Sequence, residues 1–128
     1  MTSRRAWVRR DGKRPIRCDG APASSTDPAT WATYGEALAS PAGDGFGVML
    51  GGGLACYDLD HCLDGGTLAP WAAEVLASVE SPLWVERSMS GTGLHVFVNA
   101  PEGPGRRGRF EFYSRARFIA VTGDRFTL

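Results

Sequence analysis

The sequence predicts an α/β or α+β domain built on a mainly antiparallel sheet with helices on one of its faces. Short apolar runs of strand length recur between Gly-rich turns: Phe46–Leu50, Leu54–Leu59, Trp84–Arg87, Leu94–Asn99, Phe110–Tyr113 and Phe118–Thr122. One stretch, Thr67–Val79, has helical spacing instead. The length of 128 residues suits a single domain with one modest core, so one domain over 1–128 is expected.

Taken in order, Asp27-Pro28 reads as an N-cap followed by proline at the first helical position. Thr33-x-x-Glu36 resembles a capping box opening a short helix that Pro41 stops after about Ser40. Phe46–Leu50 and Leu54–Leu59 read as two strands joined by a tight turn at Gly51-Gly52-Gly53. In the helix predicted over Thr67–Val79, Leu68, Trp71, Ala72, Val75, Leu76 and Val79 form the stripe that packs on the sheet, and Pro70 is tolerated in its first turn. Trp84–Arg87 and Leu94–Asn99 make a hairpin around Ser88–Gly93, with Leu94, Val96 and Val98 facing one way and His95 and Phe97 the other. Glu111 alternates with Phe110 and Phe112, whose character is core-facing. The face opposite the helices would then carry the polar groups.

The composition, 43% hydrophobic and 22% charged, is that of a soluble globular protein, and no apolar stretch approaches the ~18 residues a membrane span requires. The Arg-rich start has no apolar segment after it, so a secretory signal is not expected and a cytoplasmic location is. Cys18, Cys56 and Cys62 form no C-x-x-C pair, which argues against a disulfide framework or a zinc ribbon. His61-Cys62 is a weak metal signal, and packing is the better account of Cys62.

The net charge of zero conceals segregation. Residues 1–17 carry seven basic side chains and one acid, residues 101–128 six and three, and residues 18–100 ten acids with Arg87 as the only base. That pattern suits a centre that holds cations between flanks that hold a polyanion. Lys13, Arg14, Arg106, Arg107 and Arg109 are the expected phosphate contacts on single-stranded nucleic acid, with Trp7 or Trp31 stacking on a base.

Asp58 and Asp60, at i and i+2 on a strand, share a face, and Glu111 from a neighbouring strand would complete an oxygen cradle for Mg²⁺ or Mn²⁺. Asp-x-Asp alone is common and would otherwise read as a solvent-facing strand end. Ser90-Gly91-Thr92-Gly93 can expose successive backbone N–H groups to a phosphate, with His95 just beyond. A plain hairpin turn is the competing account of that segment. Gly43–Gly47 and Gly51–Gly53 lack the Gly-Lys-Ser/Thr of a P-loop and read as turns.

The succession of a carboxylate pair, a Gly-turn with histidine and a third carboxylate resembles the archaeo-eukaryotic primase superfamily, in particular the primase-polymerase domains of phage and plasmid replication proteins. The similar stretches are Gly12-Lys13-Arg14-Pro15, Thr26–Trp31, Gly47–Cys62, Ser88–His95, Phe110–Tyr113 and Phe118–Asp124, most of the chain. The resemblance implies an α+β, RRM-like catalytic core with a mainly antiparallel sheet flanked by helices. It also implies a template-dependent DNA primase/polymerase, a nucleotidyltransferase, in which Asp58, Asp60 and Glu111 hold two divalent ions. His95 with Ser90, Gly91 and Gly93 would hold a nucleoside triphosphate, and Arg117 and Thr122 fall where relatives contact the incoming nucleotide. The template would be single-stranded DNA, and such domains continue into a helical segment and often a helicase, so the chain is expected to be an excised or minimal domain. A non-catalytic nucleic-acid-binding module of the same fold and a metal-dependent nuclease are the alternatives.

Overall fold

The structure is a computed structural model, described here over residues 4–127. These residues contain ten strands and two α-helices, mixed in an α+β arrangement in which every ladder is antiparallel. The strands are β1 (Trp7–Asp11), β2 (Arg14–Ile16), β3 (Gly45–Met49), β4 (Leu54–Leu59), β5 (Leu63–Asp64), β6 (Thr67–Leu68), β7 (Trp84–Arg87), β8 (Leu94–Asn99), β9 (Glu111–Tyr113) and β10 (Phe118–Val121). The helices are α1 (Tyr34–Ala39) and α2 (Pro70–Ser78). The chain divides into two compact units, one from the chain up to Leu50 with Ala116–Thr122, the other from Gly51–Arg115 with the chain from Gly123 onward.

In the first unit the sheet order is β10-β3-β1-β2. Its core gathers Trp7, Val8, Val48, Met49 and Ile119, all nearly devoid of solvent exposure. Trp7 packs edge-on to Tyr34 at 4.9 Å between ring centroids and tilts against Phe46 at 6.1 Å. Its burial removes Trp7 from the candidates for base stacking; an indole enclosed by Tyr34 and Phe46 offers no face to a ligand. Thr33 caps α1 through the expected box, its hydroxyl accepting from the Glu36 N–H while the Glu36 carboxylate accepts from the Thr33 N–H at 2.9 Å. Asp27 caps Ala29 N–H with Pro28 in the first position, but the element that follows, Pro28–Thr30, is a single 3₁₀ turn. Ser40 is extended before Pro41, as the residue ahead of a proline prefers, and α1 ends there.

The second unit has the sheet order β7-β8-β4-β9 and a small β5-β6 ribbon. One face of the sheet supplies Ala55, Leu59, Leu94, Val96 and Val98 to a core with Cys62, Leu63 and Ala72. Leu68, Trp71, Val75, Leu76 and Val79 pack against it, so the predicted stripe is the buried one. The helix itself is shorter than Thr67–Val79: Thr67 and Leu68 pair with Asp64 and Leu63, and Pro70 occupies the first helical turn, where its missing N–H removes no helical bond.

The glycine turn after Leu50 forms as expected, with Gly51 and Leu54 exchanging both backbone hydrogen bonds. The strands on either side do not continue as a hairpin. β3 pairs with β1 and β10, whereas β4 pairs with β8 and β9, so the turn passes the chain from one sheet to another.

Candidate active site

The second sheet presents its polar groups on the face away from α2, because alternation along β4 sends Ala55, Tyr57 and Leu59 to the core and Cys56 and Asp58 to the opposite side. Register then aligns the neighbours. Asp58 lies opposite His95 on β8 and opposite Glu111 on β9, and His95 in turn lies opposite Glu86 on β7. The result is a row across all four strands, Glu86, His95, Asp58, Glu111. A second row beside it, Trp84, Phe97, Cys56 and Tyr113, is aromatic and apolar. Trp84 stacks on Phe97 there, with the ring centroids 4.1 Å apart.

Asp60, just beyond β4, joins Asp58 and Glu111: one carboxylate oxygen of each lies within 4.8 Å of the others. Among the described residues this is the only grouping of three or more potential metal ligands. Asp58 is mostly shielded, its side chain 13% exposed, Glu111 is 25% exposed, and Asp60 faces solvent. An all-carboxylate donor set suits a hard divalent cation, and the open side at Asp60 leaves room for water or a substrate oxygen. The His95 ring reaches this cluster, with Nε2 3.7 Å from Asp58 Oδ1. Arg107 approaches Glu111 Oε2 at 3.8 Å from an exposed position.

The Ser88–Gly93 turn departs from the expected string of exposed N–H groups. Gly91 N–H donates to the Ser88 carbonyl, Thr92 N–H to Ser90 Oγ and Gly93 N–H to Ser88 Oγ. What the turn offers outward is a chain of hydroxyls, with Ser88 and Ser90 Oγ 3.1 Å apart and Ser90 Oγ 2.8 Å from Thr92 Oγ1. Gly93 is fixed by crowding: a Cβ there would lie 3.0 Å from the Leu59 carbonyl oxygen, beside the carboxylate cluster.

Residues 6–125 match the profile of the family described as bifunctional DNA primase/polymerase, N-terminal. The chain belongs to the primase-polymerase family. It is similar to a DNA primase-polymerase of Nitratiruptor phage NrS-1, 34% identical over 140 aligned positions that cover 94% of this chain and 19% of that protein. The chain therefore spans about a fifth of the length of this primase-polymerase.

The other residues singled out from the primase-polymerase sequence have these places. Arg106 sits over the Phe110 ring at 5.4 Å and Arg109 over Trp71 at 6.0 Å, both on the exposed segment that leads into β9. Lys13 and Arg14 are exposed at the β1–β2 turn of the first unit, where Arg14 pairs with Asp11 at 3.1 Å. Arg117 and Thr122 flank β10 in the first unit and are half-buried. Trp31 is half-buried and donates its indole N–H to the Ser24 carbonyl. Cys62 lies in the core, where burial pushes its thiol above the ordinary range, while the adjacent His61 is exposed.

Glu86 escaped the sequence reading. It is the only charged side chain in the buried class among the described residues. A hairpin symmetric about Ser90-Gly91 places residues 86 and 95 opposite one another, and that arithmetic was the available signal.

Proposed function

We propose that this chain is the nucleotidyl-transfer core of a template-dependent DNA primase-polymerase, taking nucleoside triphosphates and a single-stranded DNA template. The carrying observation is the convergence of Asp58, Asp60 and Glu111 within 4.8 Å in a chain of this family. In this proposal the three carboxylates hold divalent ions, Mg²⁺ or Mn²⁺. Bound there, such ions lower the pKa of an attacking 3′-hydroxyl and neutralise charge on the departing pyrophosphate.

The chain's own side chains then bind and orient. His95 stands beside Asp58 and offers a ring N–H to a phosphate oxygen, and the hydroxyls of Ser88, Ser90 and Thr92 can donate to the same triphosphate. Holding the reacting phosphate in line with the hydroxyl is where the rate gain arises, with His95 set by the strand ladder and the hydroxyls by their own hydrogen bonds in the turn. The arginines at 106, 107 and 109 supply positive charge for the template backbone on the same unit.

The test is incubation with labelled deoxynucleotide, a single-stranded template and Mn²⁺, with and without a primer, for the natural chain and an Asp58→Ala, Asp60→Ala variant. Incorporation by the natural chain, abolished in a variant that remains folded, is expected. Full activity in the folded double variant, or template cleavage in place of incorporation, would refute the proposal.

A further inference from the structure

The arginines divide by what they do with their donors. Arg5, Arg9, Arg10, Arg14 and Arg87 give theirs to carboxylates or backbone carbonyls. Arg106 and Arg109 do not: among the described residues neither guanidinium has a hydrogen-bond or ion-pair partner. Each is laid on an aromatic ring instead, Arg106 5.4 Å from the centroid of Phe110 and Arg109 6.0 Å from that of Trp71. A guanidinium held by a ring face keeps its N–H donors for another partner.

Both rings belong to one side of the sheet, where Phe110 and Trp71 pack against the core that α2 shares with it. Tyr57 joins them at 5.7 Å from Phe110. β9 is an edge strand, and Arg106 is tied along its outer side by exchanging both backbone hydrogen bonds with Phe112. Arg107 reaches the opposite side, with Nη1 3.8 Å from Glu111 Oε2 in the carboxylate cluster. The three cations therefore straddle the β9 edge, two on aromatic rings and one at the carboxylates.

That composition matches an unpaired DNA strand. Its phosphates take up guanidinium donors, and its bases have flat faces that stack on aromatic rings and guanidinium planes. A duplex keeps those faces stacked on one another, and an acidic peptide supplies the charge without them. We infer that the Arg106–Phe110 and Arg109–Trp71 pairs form a platform on which bases of the single-stranded template stack, across the β9 edge from the carboxylates. This rests on the template reading made above and adds that bases are held as well as phosphates. It assigns base stacking to Trp71 of the second unit in place of Trp7 and Trp31 of the first.

The experiment measures dissociation constants across a salt series for a short single-stranded oligonucleotide and for an abasic strand of the same length and charge. The proteins are the natural chain and an Arg106→Lys, Arg109→Lys variant. The Trp71 indole ¹H–¹⁵N signal, assigned by its loss in Trp71→Leu, and the thermal midpoint are followed alongside. The natural chain should bind the base-bearing strand about tenfold more tightly than the abasic one, within the range for one stacked base. The salt slope should be the same for both strands, and the Trp71 signal should move with the base-bearing strand alone. The lysine variant keeps both charges and touches no core residue, so its midpoint and salt slope should stay, while its preference for bases falls toward none because an ammonium has no plane to stack. Equal affinity of the natural chain for the two strands, a Trp71 signal that answers both alike, or a preference undiminished in the lysine variant would overturn the inference and leave the backbone reading of the arginines standing. Failure of the natural chain to bind either strand would remove the template reading and the inference together.

Discussion

Three ionised carboxylates with oxygens within 4.8 Å repel one another, and a bound cation reverses the sign of that interaction. At 4.8 Å each pair is worth about 1 kcal/mol in water and about 3.5 kcal/mol at an effective dielectric constant near 20. Because Asp60 faces solvent, the lower figure is the better guide, giving about 3 kcal/mol of repulsion over the three pairs of the metal-free cluster. Asp58→Asn deletes two of those pairs and weakens the contact with His95 at 3.7 Å. Without metal, the variant should therefore be at least as stable as the natural chain. With Mn²⁺ at a hundred times its dissociation constant, the natural chain should gain about 2.7 kcal/mol by mass action. For a chain of this size that gain raises the thermal midpoint by about 10 °C. The variant, left with Asp60 and Glu111, should gain far less. Thermal denaturation in chelator and across a Mn²⁺ titration reads both effects, and the difference between the two conditions cancels any general effect on folding. A natural chain whose midpoint ignores Mn²⁺, or a variant that rises as far, would refute the reasoning.

Replacing Arg106, Arg107 and Arg109 by alanine should lower the slope of log affinity for single-stranded DNA against log salt by about 2, at about 0.7 per phosphate contact, and an unchanged slope would show these charges to be solvated only. Trp7→Ala should cost about 3–5 kcal/mol in a denaturant titration, because it empties a site enclosed by Tyr34 and Phe46, and a near-neutral result would contradict the packing described. Glu36 is held below the usual carboxylate range by the Thr33 backbone N–H and then by the Thr33 hydroxyl, so its contribution is fully present above the ordinary carboxylate value and is lost as pH falls through the lowered one. Glu36→Gln should accordingly flatten the acid limb of stability against pH, and an unaltered limb would place the acid sensitivity elsewhere.

How far the sequence reaches depends on the range of the interaction that decides each feature. The box at Thr33 and Glu36, the α2 stripe and the Ser88–Gly93 hairpin are settled within a few residues, and all were legible. The passage at Gly51–Gly53 was not, because a Gly-Gly-Gly turn looks the same whether its strands pair with each other or with distant partners. Here the distant partners win: β1 and β10 take β3, while β8 and β9 take β4. The interior hydrogen bonds of the Ser88–Gly93 turn were missed for a related reason. Serine and threonine hydroxyls compete for nearby N–H groups, and glycine content alone does not say which N–H remains open. Glu86 was hidden because the segment that bonds to it and to its strand, 123–126, lies more than thirty positions along the chain.

The alignment of the polar row follows from the core rather than from any attraction among its members, since one of the neighbouring pairs in it, Asp58 and Glu111, joins two carboxylates that would rather separate. Strand β8 must direct Leu94, Val96 and Val98 toward α2, and β4 must direct Ala55, Tyr57 and Leu59 the same way. A slip of one residue along either strand would send those side chains to the polar face and His95 or Asp58 into the core. Burial of large aliphatic side chains at about 1.5–3 kcal/mol each outweighs the repulsion within the cluster, so register is fixed by the apolar face. The opposite face inherits that register, and His95 and Glu111 arrive beside Asp58 whether or not any ligand is present. That is preorganisation: the like charges are brought together by folding, ahead of any cation that would relieve them.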